Sequence, residues 1–581
     1  MRISCVAFLL CLGVLSVAAA DGQQLPKPEP IPAPKPARAD NSLTMQDPAT
    51  FPEVKMDFPM ATGPFEPTWE SINQNYPAGE SWLREAKFGI WVHFGPQAAG
   101  ESGDWYARKL YQPGTEAYAN HLRSFGHPSV SGYMDVLRNW NPNKLDPQDL
   151  ARLYKEAGAG FVLVQGVHHD NFDNWNSRYQ PWNSVNMGPH RDLLGEWGTA
   201  ARKEGLKFGV AFHHEYTWWW WQPAFGSDTE GEKAGVPYDA ARLSLADGKG
   251  KWWLGYDPRL LYGVNLRAYQ HVADVMYNPE KGIFQEDLEY AHWYANRWSL
   301  RILDVIEKYD PDFIYTDGDS TQPFSGEKTG TGYKCDCVER VLASYYNRAL
   351  ALHGKVDTVG IIKFHTGTRG VINTVESQYP KEIKRDQPWI GENALGDWFY
   401  HPGFTYSSRA LILYMLEVVS RDGTYAVNIP MRPDGSIDEG ARTTLREVGA
   451  WMRINGQGIY GSHAWKIFGE GEKDTDGQIH TVAAGALGEK QASEQFTSHD
   501  FRFTQGKDGA VYAFLLGKPQ PGEKLLIRSL GSAAGLLKAQ PKSVTLLGST
   551  TPVKWMQSGK GIEIVTPAEL PAQPILAFRV M

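Results

Sequence analysis

The 581-residue chain is too long for one small core, so two folded units behind a non-globular leader are expected. Its net charge of −8 argues against a nucleic-acid or anionic-membrane partner, but not against an anionic glycan, whose contacts depend on local patches. The 21 Trp and 27 Tyr exceed what a core needs, and rings that stack on apolar sugar faces make carbohydrate the natural partner class.

In chain order, Arg2, an apolar run over 5–15 and the small residues Ala18 and Ala20 read as a signal peptide, 1–20, cleaved after Ala20. The run is too short to span a membrane, and Leu10 before Cys11 does not fit a lipoprotein, so a secreted or periplasmic protein without membrane insertion is expected. Two of the four cysteines fall in that leader. Cys335 and Cys337 remain, at a spacing poor for a mutual disulfide, and stability must come from burial. Residues 21–65 read as a Pro-rich linker, with alternating prolines over 24–38 that favour an extended polyproline spacer.

From 66 to 463, strand-like runs alternate with helical ones. Strands are predicted at 88–94, 160–168, 207–213, 313–317, 359–364, 371–376, 388–393 and 425–430, which implies an α/β fold with a (β/α)8-type, TIM-like barrel, not necessarily a regular one. Helices are predicted at 146–158, 191–205, 295–309, 338–354, 407–419 and 441–455, with Gly158, Gly205, Gly354 and Gly456 as C-cap glycines. Residues 225–286 form a long insertion. Beyond it, short alternating strands at 511–516, 524–527, 543–546 and 561–564 predict a C-terminal antiparallel β-sandwich over 464–581.

Reactive groups in a barrel belong at strand C-termini, and here those ends carry His93, His168, His169, Asp170, His213, His214, Glu215, Asp317, Asp319 and Glu376. A metal would want better ligand spacing than His-His-Asp offers, and alternation admits at most one of His168 and His169 to the lumen, so no metal is expected. A carboxylate pair acting on a glycosidic bond fits better. Asp317, ending an apolar strand before Gly318, is the nucleophile candidate, against the plain alternative of a helix cap; Asp319 is secondary. Glu376 is the favoured acid/base and Glu392 the alternative. Trp218 to Trp221 follow a strand end, so some of these rings are expected to line the cleft and at least two to pack beneath the insertion.

At these positions the chain resembles the α-L-fucosidases of glycoside hydrolase family 29. The resemblance rests on 87–95 (KFGIWVHFG), Gly103-Asp104-Trp105-Tyr106, His168-His169-Asp170, 182–192 (WNSVNMGPHRD), 418–423 (VVSRDG) with Asn428, and 546–549 (LLGS) near the C-terminus. It implies a retaining exo-glycosidase that removes terminal α-L-fucose from a fucosylated oligo- or polysaccharide through a covalent intermediate, without metal or organic cofactor. Asp317 falls at the nucleophile position and Glu376 where many members carry the acid/base, although that position varies among subgroups and Glu392 stays open. His93, Trp105, His168 and His169 fall at fucose-binding positions, and Asp104, Tyr106, His213 and Tyr315 are taken with them as substrate-binding. Asp104 stands where the family usually has Glu, Tyr315 where Trp is common, and His213-His214 where a Tyr is often found. Rival readings are an α-L-galactosidase or a non-catalytic glycan-binding protein on the same barrel.

Overall fold

The computed structural model describes residues 30–33, 54–79, 81–266, 288–317, 335–363, 365–473 and 476–581. All eight strand-like runs appear in order as β1 (Phe88–Val92), β2 (Phe161–Val167), β3 (Lys207–Phe212), β4 (Phe313–Thr316), β5 (Val359–Ile362), β6 (Val371–Glu376), β7 (Trp389–Ala394) and β8 (Thr424–Asn428). Each pairs in parallel with the next, and β8 returns to β1 to close the barrel. Because strand side chains alternate, Trp91, Phe161, Leu163, Ala211, Phe313, Tyr315, Ile361, Ile372, Ile390 and Ala426 pack together as one cluster inside it. Their neighbours Ile90, Val92, Val162, Val164, Phe208, Val210 and Ile314 face outward into the larger core. The signal peptide, most of the polyproline stretch, Asp319 and the end of the insertion lie outside the described residues.

The six predicted helices form at Pro147–Glu156, Leu193–Lys203, Leu288–Tyr309, Cys337–His353, Ser408–Ser420 and Glu439–Asn455. The first two are capped by Asp146 and Asp192, whose side chains accept from the amides three residues on. Gly158, Gly205 and Gly354 take the left-handed conformation expected past a helix end. Gly456 does not: its φ is −58°, the chain runs on into a 3-10 turn, and the Tyr460 ring lies 2.7 Å from where a Cβ would stand. That glycine serves close packing rather than a left-handed cap.

Among the described residues no helix separates β5 from β6 or β6 from β7, and other parts of the chain cover these strands. Residues 54–65, assigned from sequence to the linker, instead lie along helix Cys337–His353. Met56, Phe58 and Phe65 are buried, and the Met56, Ala61 and Phe65 amides donate to Asp336, Ser344 and Asn347. Helix Trp69–Asn75 then covers the β5–β6 connection, with Trp69 stacked on His365 and the Asn73 side chain accepting from the Arg369 amide.

The C-terminal unit has a five-stranded sheet and a three-stranded sheet, built from β9 (His463–Glu470), β10 (Phe501–Gln505), β11 (Val511–Leu515), β12 (Lys524–Ile527), β13 (Val544–Leu546), β14 (Lys554–Ser558), β15 (Gly561–Val565) and β16 (Leu576–Val580). The larger runs β13-β16-β11-β10-β9 and the smaller β12-β15-β14. Trp465, Phe501, Phe503, Phe578, Leu525, Ile562 and Ile564 fill the space between them, as a sandwich requires. Four of these strands, β9, β10, β14 and β16, were not anticipated from the sequence. A buried charge cluster ties this unit to the barrel. Arg502 of β10 makes a two-pronged bond to Glu417 of helix Ser408–Ser420, at 2.7 and 2.8 Å, and Arg421 donates to the same carboxylate at 2.5 Å.

Candidate active site

The side chains two residues beyond the inner barrel cluster converge at the C-terminal end of the strands. Trp91 leads to His93, Ala211 to His213, Tyr315 to Asp317, Ile361 to Lys363, and Ala426 to Asn428. Thr374 and Ile390 lead in the same way to Glu376 and Glu392, which pair across β6 and β7. A pocket of about 210 Å³ opens there, lined by His93, Asp104, Trp105, His168, His169, His213, Tyr216, Tyr315, Asp317, Lys363, Glu376 and Trp398.

Lys363 bridges the two leading carboxylates. Its ammonium donates to Asp317 Oδ1 at 2.7 Å and Glu376 Oε2 at 2.6 Å, so those oxygens stand no farther apart than the two distances combined, about 5.3 Å. His213 Nδ1 lies 3.1 Å from Asp317 Oδ2, and His169 Nε2 lies 3.7 Å from it. Burial alone would raise the Asp317 carboxyl, but Lys363 and the His213 hydrogen bond outweigh it and hold the group far below the usual carboxylate range. Burial opposes the charge of Lys363 too, and the surrounding Asp317, Tyr315, Glu376 and Glu392 override it, raising the ammonium well above its ordinary value.

Glu376 and Glu392 occupy different surroundings. The Glu376 side chain is 36% exposed at the opening and accepts from Trp398 Nε1 at 3.0 Å. Glu392 is 1% exposed and is held from below by Trp91 Nε1 at 2.6 Å and the Tyr315 hydroxyl at 3.1 Å. Burial, partly offset by Lys363, raises the Glu392 carboxyl to about 7.

Four imidazoles form one wall, and their partners fix their tautomers. Asn428 accepts through Oδ1 from the His93 amide at 2.9 Å while its Nδ2 donates to the Trp398 carbonyl, so His93 Nδ1, 3.0 Å from that Oδ1, carries the proton. Gln97 accepts from the Ala107 amide through Oε1 and donates through Nε2 to His168 Nδ1 at 2.8 Å, which places the His168 proton on Nε2, facing Asp104 at 3.9 Å. His169 Nδ1 donates to the His213 carbonyl. Burial and neighbouring imidazoles push His93 and His168 well below the ordinary histidine range, and burial takes His169 to about 3, so these rings are neutral. Ring nitrogens of His93, His168 and His213 come within 4.8 Å of one another, the spacing a metal ion would need. The His168 tautomer, however, turns an N–H towards the pocket, and a mix of acceptors with one donor suits sugar hydroxyls better. Asp104 is raised to about 8, first by burial and then by the nearby Asp397.

Three sequence expectations are corrected. His168 and His169 both line the pocket, because a register shift after Gln165 and the end of β2 at Val167 break the alternation that would separate them. Tyr106 does not reach it: Trp105 takes a left-handed conformation, helix Tyr106–Lys109 begins, and the fully buried Tyr106 hydroxyl bonds His121 Nδ1 at 2.7 Å. None of Trp218 to Trp221 lines the pocket. All four are buried, with Trp220 packed behind Trp105 and His169, and the lining ring from this segment is Tyr216. Lys363, Trp398, Gln97 and Tyr216 were missed; for Lys363 the period-2 series Val359, Ile361, Lys363 was a usable signal.

Residues 54–457 match the family described as α-L-fucosidase, and 494–580 match the α-L-fucosidase C-terminal domain. The chain belongs to the α-L-fucosidase family. It is a glycoside hydrolase of that family, and its relatives agree along most of its length. The tissue α-L-fucosidase of Homo sapiens is 25% identical over 528 residues, covering 88% of this chain and 90% of that one, and the Rattus norvegicus protein is 24% identical over 515, covering 87% and 89%. Among solved structures, α-fucosidase of Thermotoga maritima superposes with a TM-score of 0.61 at 23% identity over 89% of this chain and all of that one. A trapped covalent intermediate of a Bacteroides thetaiotaomicron α-L-fucosidase gives 0.56 at 16% identity, over 87% and 98%. The fold shared with these fucosidases is the barrel followed by the sandwich.

Proposed function

We propose that this exo-acting α-L-fucosidase releases terminal α-L-fucose from fucosylated glycans by double displacement, with Asp317 as nucleophile and Glu376 as acid/base. The supporting observation is the shared ammonium of Lys363, which keeps the two carboxylate oxygens within about 5.3 Å. Retaining glycosidases need carboxyls ~5 to 5.5 Å apart, whereas inverting ones leave ~6.5 to 9.5 Å for a water. The small pocket, closed below by Tyr315, suits one terminal sugar ring, which favours an exo action.

In the first step an Asp317 oxygen, kept ionised by Lys363 and His213, attacks the anomeric carbon. The C–O bond to the leaving sugar breaks, and Glu376 gives its proton to the departing oxygen. A fucosyl ester on Asp317 results. In the second step Glu376, now ionised and open to solvent, takes a proton from water as the water attacks the same carbon and Asp317 leaves. Glu376 is preferred to Glu392 because only the former reaches the opening. His93, His168, His169 and His213 engage the sugar hydroxyls, and Asp104, Trp105, Tyr315 and Trp398 complete the subsite. Tyr106 supports it from behind.

The signal-peptide reading of 1–20 supports export, and no described helix is long and apolar enough to cross a membrane. Hydrolysis of 4-nitrophenyl α-L-fucoside, run beside the α-L-galactoside, tests the assignment. Faster release of the fucoside, abolished in Asp317→Ala, is expected; preference for the galactoside would favour the rival sugar, and silence on both would favour a binding protein.

A further inference from the structure

The strand end that carries Glu376 is not held by the barrel alone. Ser377, the next residue, sits at φ +55°, a left-handed conformation that a non-glycine residue adopts only when its surroundings impose it. Its amide donates to the Glu392 carbonyl at 2.6 Å, and its carbonyl accepts from the Gly485 amide at 2.7 Å. Gly485 belongs to the connection between β9 and β10 of the sandwich. Two residues on, the Leu487 amide donates to the Ala394 carbonyl at 2.7 Å, and the Leu487 carbonyl accepts from the Gly396 amide at 2.8 Å, so Leu487 forms an isolated parallel bridge with Leu395 just past the end of β7. Trp398, which donates to Glu376 Oε1, stands two residues after Gly396. Asn393 Nδ2 adds a bond to the Gly485 carbonyl at 3.2 Å.

The segment is anchored from behind as well. The Val482 amide donates to Glu417 Oε1 at 3.0 Å, the Tyr379 hydroxyl donates to the Val482 carbonyl, and Arg502 donates to the His480 carbonyl at 2.6 Å. Val482 and Leu487 are each 1% exposed. Residues 480–487 fall between the two family matches, 54–457 and 494–580.

We propose that residues 480–487 of the sandwich are positioning residues for the acid/base, clamping the backbone beside Glu376 and the loop that presents Trp398 so that proton transfer depends on the C-terminal domain. This rests on the reading of Glu376 given above. Gly485 is the point at which to break the clamp. Its φ of +116° is strained for any other residue, while a Cβ there meets nothing nearer than Gln491 Nε2 at 3.7 Å, so Gly485→Ala shifts the backbone without a clash.

The test compares kcat/KM of the full-length protein and Gly485→Ala on 2,4-dinitrophenyl α-L-fucoside, whose leaving group needs no proton, and on a fucosyl disaccharide, whose leaving group does. Tyr379→Phe, which removes one anchoring bond, serves as a milder second variant, and Glu376→Ala runs in parallel with azide. We expect Gly485→Ala to stay within about 2-fold of wild type on the dinitrophenyl substrate and to lose about 10-fold or more on the disaccharide, a fraction of the ~10² to 10⁴ that acid catalysis supplies. Tyr379→Phe should show the same pattern with a smaller amplitude. Equal losses on both substrates, or none on the disaccharide, would overturn the proposal. Leaving-group dependence in Gly485→Ala without azide rescue in Glu376→Ala would overturn the assignment of Glu376 itself, and the proposal with it.

Discussion

The cluster joining the two domains offers a sharp prediction, because its three charges are nearly inaccessible and unequal in number. Glu417 and Arg502 are 0% exposed and Arg421 is 1%, so one carboxylate serves two guanidinium groups. Burial alone would raise the Glu417 carboxyl, but Arg502 and Arg421 outweigh it and bring it from 4.5 to about 2. At ~1.4 kcal/mol per pH unit, that difference corresponds to ~3 kcal/mol of folding stability. Because the folded value is depressed, this stability is fully present above pH 4.5 and is lost as the pH falls towards 2. Glu417→Gln keeps the shape and leaves two buried cations facing each other, so it should cost ~3 to 5 kcal/mol at pH 7. Arg502→Met leaves Glu417 still paired with Arg421 and should cost less. Urea unfolding followed by tryptophan fluorescence at pH 7, 5 and 3 measures both. The gap between wild type and Glu417→Gln should narrow at pH 3. A Glu417→Gln protein within ~1 kcal/mol of wild type at pH 7, or less destabilised than Arg502→Met, would refute the reasoning.

Lys363→Met should move the acidic limb of the kcat/KM profile upward by ~1 to 3 pH units, since the main opposite charge holding Asp317 ionised is gone; an unmoved limb in a pH series would show that Lys363 does not set that ionisation. Tyr106→Phe should leave KM for the fucoside within about 2-fold and cost ~1 to 3 kcal/mol, because His121 Nδ1 loses its partner; a large KM change would place Tyr106 in the subsite after all. Trp220→Ala should cost ~3 to 5 kcal/mol through the cavity it leaves, checked by thermal unfolding; near-neutral stability would mean the ring is not core.

The barrel was legible because each strand is a short apolar run, and the side chain two residues past its inner cluster names a site position, as Trp91 leads to His93 and Tyr315 to Asp317. What that rule cannot reach are residues delivered by loops. Gln97, Tyr216 and Trp398 come from turns whose direction depends on tertiary packing. Lys363 lies within the rule, two residues past Ile361, but its bridging role depends on the two carboxylates that converge on it. Trp218 to Trp221 were expected to divide between lining the cleft and packing beneath the insertion, and only the second holds: all four are buried, with Trp221 against Tyr262 of the insertion and the Gln222 side chain donating to the Val264 carbonyl. Local pattern also could not show that helix Trp69–Asn75 and the sandwich segment 480–487 would replace the helices missing after β5 and β6. Those contacts join residues roughly a hundred or more positions apart, as Tyr379 and Val482 show with a separation of 103. In the sandwich, β14 was obscured because its exposed face carries Lys554, Met556 and Ser558 and only its alternate residues are sheltered.

The most direct measurement of the central claim is the configuration of the fucosyl azide formed when azide rescues each carboxylate variant on an activated α-L-fucoside, read by proton NMR. If Asp317 is the nucleophile and Glu376 the acid/base, Asp317→Gly lets azide attack once and yields the inverted β-fucosyl azide, while Glu376→Ala keeps the covalent intermediate and yields the α-fucosyl azide. An α product from Asp317→Gly, or rescue in Glu392→Ala with none in Glu376→Ala, would contradict it.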